Sequence, residues 1–130
     1  MDVAHGRIFA VCDGGVMAVA DAKSGKVVTT VKIGNGPDAA RFDAATGEIF
    51  SSNGQSGTLT VVHEDSPDKY TVLDNVETAR GARTMEQDPK THRVFVVTAD
   101  FQPAAAPTAE NPRPRPVPVP GSFRLIVLGR

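Results

Sequence analysis

A five-residue pattern recurs along this chain and limits what it can fold into. Asp2-Val-Ala-His-Gly6 leads into Arg7-Ile8-Phe9, Asp43-Ala-Ala-Thr-Gly47 into Glu48-Ile49-Phe50, and Asp88-Pro-Lys-Thr-His92 into Arg93-Val94-Phe95. The copies begin 41 and then 45 residues apart. A spacing of this size belongs to repeated supersecondary units that stack on one another, because one such unit cannot bury its apolar face alone. The chain, 130 residues long, holds about three such units.

Between turns the sequence alternates or runs in short β-branched stretches, the pattern of half-buried and fully buried strands, and no window keeps a helical apolar period. Ten strands are expected: Arg7–Val11, Val16–Ala20 and Lys26–Ile33; Ala39–Phe42, Glu48–Ser52, Thr58–His63 and Tyr70–Val76; Arg83–Glu86, Arg93–Thr98 and Phe123–Leu128. They group as three, four and three. The fold class is therefore all-β, a β-propeller fragment of about three four-stranded antiparallel blades with the first and last incomplete. The blades span residues 2–34, 35–78 and 79–130, and a proline-rich loop over 102–121 lies inside the third. Propellers close with about four to eight blades, so an open array exposes its end faces and strand edges, and self-association is expected.

The repeated turn has a local cause. The Asp carboxylate caps backbone amides of the turn, and Gly supplies the positive φ that ends it. His92 stands in place of Gly in the third copy, and histidine is among the residues that tolerate this conformation. A fourth copy, Asp21-Ala-Lys-Ser-Gly25, joins two strands of the first unit. In an up-and-down meander all four turns fall on one scaffold face. The irregular segments 12–15, 34–38, 53–57, 77–81 and 99–122 emerge on the other, where binding is expected. The candidate contacts there are Asp13, Asp38, Asn53, Arg80, Arg83 and Asp100, with Arg113 and Arg115 in the proline-rich loop. Asp38 and Arg83 hold equivalent repeat positions and are expected either to pair between blades or to line a polar funnel.

Seven of the ten prolines lie between residues 103 and 120, a composition that favours extended polyproline II. The segment interrupts a hairpin instead of linking domains. Three readings stand: a lid carrying Arg113 and Arg115 over the loop face, an exposed recognition arm, and a solvated loop.

No catalytic constellation emerges. The chain has no Gly-x-Ser-x-Gly elbow or phosphate-binding glycine loop, and its one cysteine, Cys12, has no interpretable histidine partner. His5 and His92 lie in scaffold turns and His63 ends a strand, so neither a metal site nor a cofactor is expected. Glu64, Asp65 and Asp68 cluster in a turn on the scaffold face, where solvent is expected to hold them. The formal net charge is −1, which excludes a global attraction to nucleic acid or anionic membrane. Residues 80–130 nonetheless carry eight basic and four acidic side chains, an excess that suits an anionic partner. Single-stranded nucleic acid is one such partner, without the aromatic stacking that usually supports it. No run is long and apolar enough to span a bilayer, and the first residues lack the pattern of a secretion signal.

The stretch Gly36-Pro-Asp-Ala-Ala-Arg-Phe-Asp-Ala-Ala-Thr-Gly-Glu-Ile-Phe50, followed by Gly57-Thr-Leu-Thr-Val-Val62, resembles the YVTN-repeat β-propeller proteins of the bacterial YncE type. Residues 88–101 and the proline-rich loop before Ser122-Phe123-Arg124 resemble the C-terminal portion of such a protein. Phe9-Ala-Val-Cys12, Phe50-Ser-Ser-Asn53 and Phe95-Val-Val-Thr98 stand where Tyr-Val-Thr-Asn would, and only Asn53 keeps the last residue. The resemblance implies a non-catalytic binding or scaffold module, part of a larger periplasmic or secreted protein. Its alternative is part of a propeller enzyme, lactonase-like or redox-cofactor-bearing, with the active site mainly in blades absent here.

Overall fold

The structure is a computed structural model and describes residues 1–129. It is all-β, with three antiparallel sheets of three, four and three strands, propeller-like in arrangement and not closed. The first sheet holds β1 (Arg7–Cys12), β2 (Val16–Asp21) and β3 (Val27–Lys32). The second holds β4 (Pro37–Asp43), β5 (Glu48–Asn53), β6 (Thr58–Ser66) and β7 (Lys69–Glu77). The third holds β8 (Thr84–Gln87), β9 (Val94–Thr98) and β10 (Arg124–Leu128). Every neighbouring pair within a sheet is consecutive in sequence, so each sheet is a simple meander.

Side-chain alternation builds two cores, one on each side of the second sheet. On β5, Ile49 faces the first sheet and packs with Met17, Val19, Val31, Ile33 and Val62. Phe50, one residue on, faces the third sheet and packs with Leu59, Ala82, Met85, Val94 and Val96. All six residues of β5 are consequently buried. Aromatic rings fill the junction between the first two sheets, with Phe9 5.3 Å from Phe42 and 6.0 Å from Tyr70. The end faces have nothing against them: Ile8 on β1 and Leu125 and Val127 on β10 are exposed.

The repeated turns form as their composition dictates. Asp21 caps the Ser24 amide at 2.7 Å, Asp43 that of Ala45 at 3.0 Å and Asp88 that of Lys90 at 3.0 Å. His92 takes φ 58°, alone among the described non-glycine residues in having a positive φ. Its ring is then free to reach Asp43 of the neighbouring sheet, Nδ1 lying 2.6 Å from Oδ2.

Candidate functional site

The irregular segments do meet on one face, held by backbone hydrogen bonds between neighbouring connections. The Gly54 N–H donates to Gly36 O at 2.8 Å and the Gly81 N–H to Gly54 O at 2.8 Å. The glycines here permit close approach. A Cβ on Gly36 would lie 2.4 Å from Gln55 Cγ, and one on Gly54 would lie 3.2 Å from the Arg83 stem.

On this face Asp13, Asp38, Arg80, Arg83, Asp100, Arg113 and Arg115 are all exposed. Asn53 differs. It is fully buried, with Nδ2 donating to Thr60 Oγ1 at 2.8 Å and Thr58 Oγ1 at 3.2 Å while Oδ1 accepts from Ser51 Oγ at 3.0 Å. Thr60 passes the chain on to Asn75 Oδ1 at 2.7 Å. The Asn53 amide is spent tying β5 to β6, and through Thr60 to β7. Asp38 and Arg83 do not pair. The inter-sheet ion pair forms three residues further along, within β4 and β8, where Arg41 Nε lies 2.6 Å and Nη2 3.1 Å from the two Glu86 oxygens. That bidentate contact, with help from the Gln87 amide, lowers the Glu86 carboxyl to about 2.

Asp100 is engaged by Arg124 at 2.6 Å, whereas the guanidinium groups of Arg80, Arg83, Arg113 and Arg115 enter no ion pair among the described residues. The proline-rich segment is laddered at its base. The Gln102 N–H donates to Val117 O and the Val119 N–H to Asp100 O, both at 2.8 Å, and the Phe101 ring lies over Gly81.

A second cluster lies on the opposite, scaffold face. There β6 runs three residues beyond the expected strand, to Ser66. Side chains alternate, so Glu64 follows Thr60 and Val62 onto the side facing the first sheet instead of standing in a turn. The expectation that solvent holds Glu64 is thereby corrected: its side chain is 5% exposed and neither carboxylate oxygen receives a hydrogen bond. Asp65 and Asp68 remain at the surface and are paired. Asp65 bonds His63 at 2.9 Å and Thr71 at 2.7 Å, contacts that with Lys69 lower its carboxyl to about 2. Asp68 accepts from Arg7 at 2.9 Å.

Glu64 faces Asp2, whose side chain is 4% exposed, and His5, which is 54% exposed. His5 Nδ1 lies 2.6 Å from Asp2 Oδ2 and 3.3 Å from Glu64 Oε1, and one ligand atom from each residue falls within 4.8 Å of the others. Burial first, then the Asp2 carboxylate, pushes the Glu64 carboxyl up, against opposition from His5 and Arg7. Burial also pushes the nearby Tyr70 phenol up to about 12. The cluster opens into a cleft of about 370 Å³ lined by Phe42, Gly47 and Pro67 as well as the three ionisable groups. These three side chains are the ones in the described structure arranged to hold a metal ion. Only the alternation of β6, carried past His63, could have revealed Glu64 in the sequence.

The fold and its two faces define an all-β chain of stacked antiparallel sheets with a loop face and a turn face. The sequence matches no known protein family and no curated protein.

Proposed function

We propose that this chain is a non-catalytic binding module of the YVTN-repeat propeller kind, part of a larger periplasmic or secreted protein, and that its loop face takes an acidic peptide segment. The observation that carries the reading is the convergence of the irregular segments around Arg80 and Arg83, exposed guanidinium groups without a carboxylate partner among the described residues. Arg fits this task because its planar fork takes a carboxylate bidentately. Arg113 and Arg115, on the insertion beside them, add to the positive field that steers such a partner.

The test uses a fluorescently labelled oligo-glutamate peptide and the whole chain, read by anisotropy. Saturable binding should weaken with salt and fall by about tenfold in the Arg80→Ala/Arg83→Ala double variant, the loss of two charge-assisted hydrogen-bonded contacts. Absence of binding at low salt, or equal affinity for the double variant, removes the acidic peptide from the loop face.

A further inference from the structure

The repeat supplies its own control for the scaffold-face cluster. At the junction of the second and third sheets Asp43 is buried, and two nitrogen groups meet its Oδ2: Gln87 Nε2 at 3.0 Å and His92 Nδ1 at 2.6 Å. At the junction of the first and second sheets Asp2 occupies the equivalent position, but the group brought up to it from the neighbouring sheet is a second carboxylate. Glu64 and Asp2 therefore share a buried place with one imidazole nitrogen between them. Burying two carboxylates together is costly unless positive charge joins them.

Among the described residues no lysine or arginine pairs with either carboxylate, and His5 Nδ1 is the nitrogen that lies against both. The guanidinium of Arg7 is committed elsewhere, its N–H groups going to Pro67 O at 2.9 Å, Asp68 at 2.9 Å, Asp21 at 3.1 Å and His5 O at 3.1 Å. Lys69 lies 3.4 Å from Asp65. Both Glu64 oxygens stay without a donor.

We infer that Asp2, His5 and Glu64 bind one divalent transition-metal ion of the zinc class, clamping the first sheet to the second. The donor set selects the metal. Two carboxylate oxygens and one imidazole nitrogen suit zinc, whereas calcium takes oxygen ligands alone. Three protein ligands would leave a fourth tetrahedral position for water, and all three residues line the cleft that would admit it. Coordination needs the His5 Nδ1 lone pair, so the imidazole carries its proton on Nε2 and exchanges its contact with Asp2 Oδ2 for a bond to the metal. The ligand atoms already lie within 4.8 Å of one another; ligands about 2.1 Å from a common tetrahedral ion stand about 3.4 Å apart, so the widest separation closes while the 2.6 Å contact between His5 Nδ1 and Asp2 Oδ2 opens. Nothing in this inference rests on the loop-face reading, and the Arg80→Ala/Arg83→Ala variant should bind metal as the parent does.

The experiment is calorimetric titration of the chelator-treated whole chain with zinc at neutral pH, with Co²⁺ as a spectroscopic substitute and Ca²⁺ as control. The expected result is one zinc per chain, a four-coordinate cobalt spectrum, and no calcium binding. His5→Ala removes a half-exposed ligand and Glu64→Gln removes a ligand charge at constant shape. Each should weaken zinc by about tenfold or more and abolish the visible cobalt band. Far-UV dichroism in chelator checks that both variants keep the sheet content of the parent. Absence of stoichiometric binding overturns the site. So does zinc binding that both variants retain, which would place the ion at His63–Asp65 or His92–Asp43 instead.

Discussion

Glu64 is the residue where local chemistry and position conflict most. A carboxylate without donors beside another carboxylate destabilises the metal-free fold, and an uncharged side chain of the same shape relieves this. With chelator present, Glu64→Gln should raise stability at neutral pH by about 1 kcal/mol, its amide donating to Asp2. Urea denaturation of parent and variant checks it; a less stable variant would show that Glu64 is satisfied as it stands. Zinc should act against this order, stabilising the parent more than the variant, which binds it about tenfold or more weakly. Asn53 carries the opposite lesson. As the retained last letter of Phe50-Ser-Ser-Asn53 it reads as a loop-face contact, yet its burial and saturated amide give it a structural task. Asn53→Ala should cost about 2 kcal/mol or more in denaturation, because Ser51 and Thr58 lose their partner inside the protein.

At the scale of elements, number and grouping were legible: ten strands in groups of three, four and three, set by turn chemistry and period-two alternation. Strand ends were less legible, since pairing across a sheet carries a strand past its last β-former. The extension of β6 to Ser66 opposite Lys69 is such a case, and it placed Glu64. Which charges meet between sheets was not legible either. Repeat positions 38 and 83 are equivalent in register, but the pair forms at Arg41 and Glu86, deeper along β4 and β8. That pair predicts a pH dependence. Glu86 titrates at about 2 when folded, against 4.5 as its ordinary value, so its contribution is present above about pH 4.5 and lost as pH falls towards 2. Both side chains reach solvent, Arg41 at 40% and Glu86 at 69% exposure, so the effect is modest and screened by salt. Glu86→Gln should therefore unfold less steeply with acid than the parent between these values at low salt, read by dichroism across a pH series. Identical acid limbs would mean that the contact contributes nothing in solution.

For the whole molecule, the governing quantity is surface. The structure exposes 8082 Å², against about 6,600 Å² for a closed monomer of this mass, 13.7 kDa. The excess of roughly 1,500 Å² is comparable to two faces of a standard protein interface, at about 800 Å² each. The proline-rich insertion and the outer faces of the first and third sheets contribute to it. There Ile8, Val27, Phe123, Leu125 and Val127 face water. In a stack of sheets each apolar face needs a neighbour; the second sheet has two, and its β5 is buried throughout, whereas the first and third have one each. β10 adds an open edge with unpaired amides to this apolar face. The chain alone should therefore associate with itself through its end faces, and charge placed there should prevent it. In sedimentation velocity over a concentration series, the parent should shift to larger species as concentration rises. Leu125→Lys/Val127→Lys, which puts two like charges on the outward face of β10, should move that shift to about tenfold higher concentration or more. Both substitutions leave the inward-facing Ile126 and Leu128 in the second core, so the fold should survive them. A parent that sediments as a monomer at every concentration would mean that the end faces are tolerated in water, and the stacking argument for association would fail with it.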